Sequence, residues 1–217
     1  MKLNNEELKK ALLLYAVTDR TWTKEKSLYE QVELALKGGT TFLQLREKDL
    51  PYDEFKKEGE KLLSLCRNYS VPFVINDNVE LAKELDADGV HIGQDDMDVS
   101  EARKLIGNDK ILGVSARTVE EAISAEKHGA DYLGVGAVFS TSTKLNAMDV
   151  SYEMLKEICS RVKIPVVAIG GINAANILKL AKSGICGVAV VSAIFAQDDI
   201  LQATKNLLEQ TRKTVCL

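Results

Sequence analysis

The sequence predicts an α/β fold, a (β/α)8 barrel formed as one domain over residues 1–217. Three observations lead there. Short β-branched apolar runs alternate with segments of helical period, the rhythm of βα units that build a parallel sheet. Eight such runs can be counted along the chain. The length of 217 residues is slightly under the roughly 250 typical of eight βα units closed on themselves. An open doubly wound sheet is the rival, but no G-x-G-x-x-G opens the helix after the first run, where such a sheet could carry one.

Taken in order, the runs are LLLYAVTD (12–19), TFLQLR (41–46), PFVIND (72–77), GVHIGQ (89–94), KILGVSA (110–116), YLGVGAVF (132–139), PVVAIGG (165–171) and GVAVVSAI (187–194). Their near-continuous Val, Ile and Leu content suits strands covered on both faces. Amphipathic stretches lie between them: SLYEQVELALKGG, VEEAISAEKHGAD and AANILKLAKSGI are examples. Gly38, Gly129 and Gly184 stand where a left-handed helix C-cap would place a glycine. A weak internal echo adds support, since KGGTTFLQL, LDADGVHIG, HGADYLGVG and SGICGVAVV each set a turn before a strand.

Bulk chemistry narrows the function. A composition of 46% hydrophobic and 28% charged residues is ordinary for a globular protein. A formal net charge of −4 argues against nucleic acid or an anionic membrane as partner, because both select a basic excess. The apolar run near the N-terminus follows acidic residues and leads into Thr18-Asp19 rather than a small-residue cleavage site, so no signal peptide is expected. No run approaches the ~20 apolar residues of a membrane span, and a cytoplasmic protein is expected. Cys66, Cys159, Cys186 and Cys216 are far apart and form no C-x-x-C pair. With only two histidines in the chain, a zinc site is not expected.

In a (β/α)8 barrel the chemistry sits where strands end, and here those ends are polar. The last two carry I-G-G-I (Gly170, Gly171) and V-V-S-A (Val191, Ser192), which suit a phosphate cradle of backbone N–H groups better than a mere tight turn. Asp77 closes the third run and Asp96 follows the fourth. Two hard oxygen ligands suit Mg2+, with water and phosphate oxygens completing its shell. Spacing alone leaves that reading level with a plainer one, in which Asp77 caps the next helix and Asp95 and Asp96 decorate a loop. Arg46 and Lys48 end the second run, and Thr141, Ser142, Thr143 and Lys144 follow the sixth. Arginine offers phosphate a planar fork, and lysine a mobile charge able to follow a leaving group. Strand alternation puts Gln44, Arg46 and Lys48 on one side, leaving Glu47 and Asp49 off the substrate. His91 reads as a hydrogen-bonded core residue, and no histidine base is evident. The inventory is that of a barrel enzyme with one monophosphate site and a second, more highly charged phosphate site.

Seven motifs in register then carry a resemblance: Q-L-R-E-K (44–48), V-I-N-D-N (74–78), H-I-G-Q-D-D (91–96), L-G-V-S (112–115), T-S-T-K (141–144), I-G-G-I and V-V-S-A. Together, over roughly residues 12–200, the chain resembles the thiamine phosphate synthase family. The resemblance implies a transferase joining 4-amino-2-methyl-5-hydroxymethylpyrimidine diphosphate to a hydroxyethylthiazole monophosphate, or its carboxylated form, with release of pyrophosphate. It implies that Gln44, Arg46, Lys48, Asn76, Ser115 and Lys144 hold the pyrimidine diphosphate. Thr141, Ser142, Thr143, Gly171, Val191 and Ser192 would hold the thiazole phosphate, and Asp77 and Asp96 one Mg2+ per site. Arg46, Lys48, Lys144 and Ser115 would serve the chemistry, in which diphosphate departs first and the thiazole nitrogen captures the pyrimidine methylene cation. That route needs charge neutralisation rather than a base. The chain departs from many relatives at Asn146, where they carry an acid, and at Ser151, where they carry glycine. Two alternatives share the barrel: a thiazole tautomerase-like isomerase, which would not need the diphosphate and Mg2+ set, and a non-catalytic phosphate-ligand sensor. Only small-molecule partners are expected.

Overall fold

A computed structural model describes residues 3–23, 25–140 and 150–216. Its eight strands are β1 (Leu14–Val17), β2 (Phe42–Leu45), β3 (Phe73–Asn76), β4 (Gly89–Ile92), β5 (Ile111–Ala116), β6 (Tyr132–Val135), β7 (Val166–Ile169) and β8 (Gly187–Val190). Each of the eight predicted runs contains one of them. The strands pair in sequence order, all parallel, and β8 closes onto β1 through Tyr15 beside Ala189.

The helices are α1 (Asn5–Ala11), α2 (Leu28–Gly38), α3 (Tyr52–Asn68), α4 (Val79–Glu84), α5 (Val99–Ile106), α6 (Val119–Lys127), α7 (Tyr152–Arg161), α8 (Ser192–Phe195) and α9 (Ile200–Val215). Their starts follow from local chemistry. Ser27 and Glu30 form a capping box on α2, and Asn78, Asp98, Thr118 and Ser151 each accept a first-turn N–H of the next helix. Two apolar layers result. Leucines, valines and alanines fill the space between sheet and helices. Inside the barrel, Leu8 and Leu12 from the N-terminal segment pack with Tyr15, Phe42, Val74, Ile111, Tyr132 and Val167, which fills the lower part of the barrel.

Two expectations change. Gly38 lies inside α2, and Gly39 is the left-handed cap, with φ +101°. Gly38 is needed for another reason: a Cβ there would stand 2.5 Å from Thr204 Cβ of α9. The stretch AANILKLAKSGI forms a short 3-10 helix, Ile177–Leu180, in place of an amphipathic α-helix. The side chains of Asn173 and Asn176 accept the N–H groups of Ala175 and Asn173, and such local bonds compete with helix nucleation.

Candidate functional site

Strand alternation turns Tyr15, Gln44, Asn76, His91 and Ser115 toward the barrel axis. Above them a cavity of about 180 Å³ opens at the strands' C-terminal ends. Arg46, Gln94 and Arg117 extend its wall on the β1–β5 side; Gly136, Ile169, Gly170, Gly171, Val191 and Ser192 form the β6–β8 side. Gln44, Arg46, Asn76, Ser115, Gly171, Val191 and Ser192 therefore meet around one space. Thr141, Ser142, Thr143, Lys144 and Asn146 lie outside the described residues.

The charged turn after β2 separates into distinct roles. Glu47 is not solvated: its side chain is 4% exposed and accepts three hydrogen bonds, from Nε and Nη2 of Arg20, at 2.8–3.1 Å. Arg46 is tied to the framework through its backbone N–H, which donates to Thr18 Oγ1 at 2.9 Å. Its guanidinium has an ion pair with Asp19 at 3.8 Å, on the edge of contact. Lys48 departs from expectation. β2 ends at Leu45, so alternation does not carry as far as Lys48; its half-exposed side chain lies outside the cavity wall and pairs with Asp77 at 2.6 Å.

Asn76 is buried, and its Nδ2 has no hydrogen-bond partner among the described residues. A buried amide donor without a partner costs roughly 1–3 kcal/mol, a cost that an anion in the cavity would remove. Asp77 does not cap α4; Asn78 does, accepting from Leu81 N–H at 2.8 Å. Asp77 instead takes up a left-handed φ of +63° and directs its N–H to the His91 carbonyl at 2.8 Å. Strained backbone of this kind concentrates at functional sites. Asp96 accepts the Gly93 N–H at 2.7 Å. Burial first, and then the hydrogen-bonded carboxyl of Asp77, push Asp96 above the ordinary aspartate range. Two adjacent acids with such mutual repulsion are a donor set that fits a hard divalent cation. Among the described residues no third His, Cys, Asp or Glu joins them, so water or substrate oxygens would complete the shell.

Below these groups runs a buried chain of hydrogen bonds that the sequence reading did not anticipate. Gln44 Nε2 donates to Tyr15 Oη. Tyr15 Oη meets Tyr132 Oη at 2.8 Å, Tyr132 Oη meets His91 Nδ1 at 2.9 Å, and His91 Nε2 meets Ser115 Oγ at 3.0 Å. His91 is thus the hydrogen-bonded core residue expected, yet its ring also lines the cavity. The missed members are Tyr15 and Tyr132. Their signal was present, since a tyrosine in mid-strand must find a partner for its hydroxyl. Glycines make the room: a Cβ at Gly113 would strike the Tyr132 ring, and one at Gly134 would stand 3.1 Å from His91 Cε1.

The opposite wall uses backbone. Gly170 and Gly171 have φ of +99° and +63°, and a Cβ on Gly171 would lie 2.5 Å from the Ser140 carbonyl oxygen. The turn after β7 therefore packs directly on the β6 loop, which only glycine permits. Ser192 opens the short helix α8 just above β8. The thiols play no evident part: burial pushes Cys66, Cys159 and Cys186 up to about 12, so none is a thiolate at neutral pH. No helix among the described residues is long and apolar enough to cross a membrane.

Comparison with known proteins agrees with the barrel fold. The family described as thiamine monophosphate synthase matches residues 14–194. The thiamine-phosphate synthase of Clostridioides difficile is 52% identical, with 91% of this chain and 94% of that protein aligned. That of Ruminiclostridium cellulolyticum is also 52% identical, over 90% and 93%. Among solved structures, a thiamine phosphate pyrophosphorylase from Pyrococcus furiosus superposes with a TM-score of 0.89 at 41% identity, covering 96% of this chain and 99% of the other.

Proposed function

Because the chain belongs to the thiamine monophosphate synthase family, transferases that join a pyrimidine to a thiazole, we propose that the reacting forms are a pyrimidine diphosphate and a thiazole monophosphate. The observation that carries this reading is the concentration of phosphate chemistry on one rim of the cavity. Arg46 and the unpartnered Asn76 amide line it, and the Lys48–Asp77 ion pair and the Asp77–Asp96 acid pair, outside the wall itself, follow from the same strand ends. Gln44 and Ser115 would hold the pyrimidine ring below, and Gly171, Val191 and Ser192 the thiazole phosphate across the cavity. Thr141, Ser142, Thr143 and Lys144 would complete the site from outside the described residues.

Asp77 and Asp96 would hold one Mg2+, which when bound would neutralise charge on the diphosphate oxygens. The residues' own work is positioning and charge. As the C–O bond to the diphosphate lengthens, negative charge grows on the departing oxygens, and Arg46 and Asn76 are set to donate to it. Lys48 would exchange Asp77 for a phosphate oxygen. The methylene cation left on the pyrimidine would be captured by the thiazole nitrogen held opposite, with no proton taken by the protein.

The test is incubation of the protein with both phosphorylated halves and Mg2+, with thiamine phosphate and pyrophosphate as products. Absence of product, with or without metal, would overturn the proposal. A second readout is thermal: pyrophosphate should stabilise the protein only in the presence of Mg2+ if the two share a site.

A further inference from the structure

We propose that Arg117 is a further substrate-binding residue of this site, the partner of Arg46 in a pair of arginines that takes the diphosphate from both sides. This rests on the diphosphate reading above.

The two arginines are built alike. Each is the first residue past its strand, since β2 ends at Leu45 and β5 at Ala116. Each stands two positions after an inward-facing neutral side chain, Gln44 in one strand and Ser115 in the other, so alternation returns it to the same side. Both line the cavity. Each has its backbone N–H held by a side-chain oxygen: Arg46 donates to Thr18 Oγ1 at 2.9 Å, and Arg117 to Glu121 Oε2 at 2.6 Å. Among the described residues neither guanidinium makes a hydrogen bond. Each instead has an acid at the edge of contact, Asp19 at 3.8 Å from Arg46 and Glu121 at 3.9 Å from Arg117.

Arg103 shows what an arginine does when its work is structural. Its guanidinium donates to the carbonyls of Gly107, Lys110 and Gly129 and to Asp131, all at 2.6–3.1 Å. Arg117 is the opposite case. Its backbone is fixed, while a long ion pair at a partly exposed site holds its head only weakly. The planar fork is left free to take a phosphate without breaking a strong internal bond.

Placement selects which phosphate. β2 and β5 are three strands apart in the closed order of eight, so the residues at their ends face each other across the opening. Gln44 and Ser115, one inward step below, are the residues assigned above to the pyrimidine ring. A diphosphate carried on that ring rises between the two guanidiniums. The thiazole phosphate has been given its own cradle, at the ends of β7 and β8. As the C–O bond lengthens, a fork on each side spreads the charge that gathers on the departing oxygens.

The experiment is a calorimetric titration of inorganic pyrophosphate, with Mg2+ present, into wild type and Arg117→Gln. Arg161→Gln, at an exposed position of α7, controls for loss of one positive charge. Arg117→Gln should weaken pyrophosphate binding at least about 10-fold, as loss of charge-assisted hydrogen bonds does. Arg117→Lys, which keeps the charge without the fork, should recover only part of it. Arg161→Gln should stay within about threefold of wild type, because exposed distant charges are screened. In turnover, Arg117→Gln should lower kcat/KM for the pyrimidine diphosphate by at least the same factor, with KM for the thiazole phosphate within about threefold. An unchanged pyrophosphate affinity in Arg117→Gln overturns the proposal. So does an equal loss in Arg161→Gln, or a raised KM for the thiazole phosphate in place of the expected effect. A wild type that binds no pyrophosphate overturns the diphosphate reading as well, so the two failures are distinct. If Arg117→Gln fails to fold, wild type still decides. Pyrophosphate with Mg2+ should shield Arg117 from an arginine-selective dicarbonyl reagent, read by peptide mass spectrometry, and an unshielded Arg117 overturns the proposal.

Discussion

The two walls of the cavity are built differently. On the β1–β5 side, long side chains do the work: Gln44, Arg46, Asn76, His91 and Ser115 each reach inward from a strand or its end. On the β6–β8 side the wall is Gly136, Ile169, Gly170, Gly171 and Val191, with backbone and small apolar groups facing the space. Side chains can be aimed and charged, which suits a leaving group whose charge grows during reaction. Backbone N–H groups need no rotamer entropy, which suits a phosphate that is held but does not react.

The division can be broken most directly on the charged wall. Arg46→Ala and Asp77→Ala should each lower turnover by at least about 10²-fold, as loss of a transition-state electrostatic partner does. Steady-state kinetics with the thiazole phosphate saturating would show it, and near-normal rates in both would mean that the diphosphate binds elsewhere. On the backbone wall the effect should be smaller and of another kind. Gly171→Ala places a Cβ 2.5 Å from the Ser140 carbonyl at a φ of +63°. The expected cost is about 1–3 kcal/mol of stability, a fall in Tm of roughly 3–10 °C, together with a raised KM for the thiazole phosphate but not for the pyrimidine.

A third prediction sharpens the picture of the acid pair. Asp96 titrates above its ordinary value of 3.8, chiefly through burial and then through Asp77. Between those two pH values the native state binds more protons than the unfolded chain. This carboxyl's contribution to stability is therefore present in acid and lost as pH rises through its folded pKa. Asp77→Asn should move that window down, as read by carboxyl carbon NMR; an unmoved Asp96 would show that burial alone sets it. The smallest effect concerns the thiols. At pH 8, exposed Cys216 should react with a disulfide reagent well ahead of Cys66, Cys159 and Cys186, which burial holds near 12. Equal rates would mean that the apolar layers behind both walls open readily.

Much of this protein was legible in one dimension. Hydrophobic period and turn chemistry are local, so the eight strands and most helices could be read from neighbouring residues. Barrel geometry pointed to the strand ends and the family resemblance to particular residues on them, which is why Gln44, Arg46, Asn76, Ser115, Gly171, Val191 and Ser192, now found around one cavity, could be singled out before any coordinates. Local reading failed where side chains compete with backbone, as at Asn173 and Asn176, and where a strand stops short, as at Lys48. Other features were invisible because their partners are remote in sequence. Glu47 finds Arg20, Asp77 finds Lys48 and Asp96, and Tyr15 finds Tyr132 across 117 positions. The sequence by itself determined which groups stand at the strand ends, because alternation and period depend on adjacent residues. Closure of the barrel decided which of them touch and which are buried, because those depend on distances no linear pattern contains.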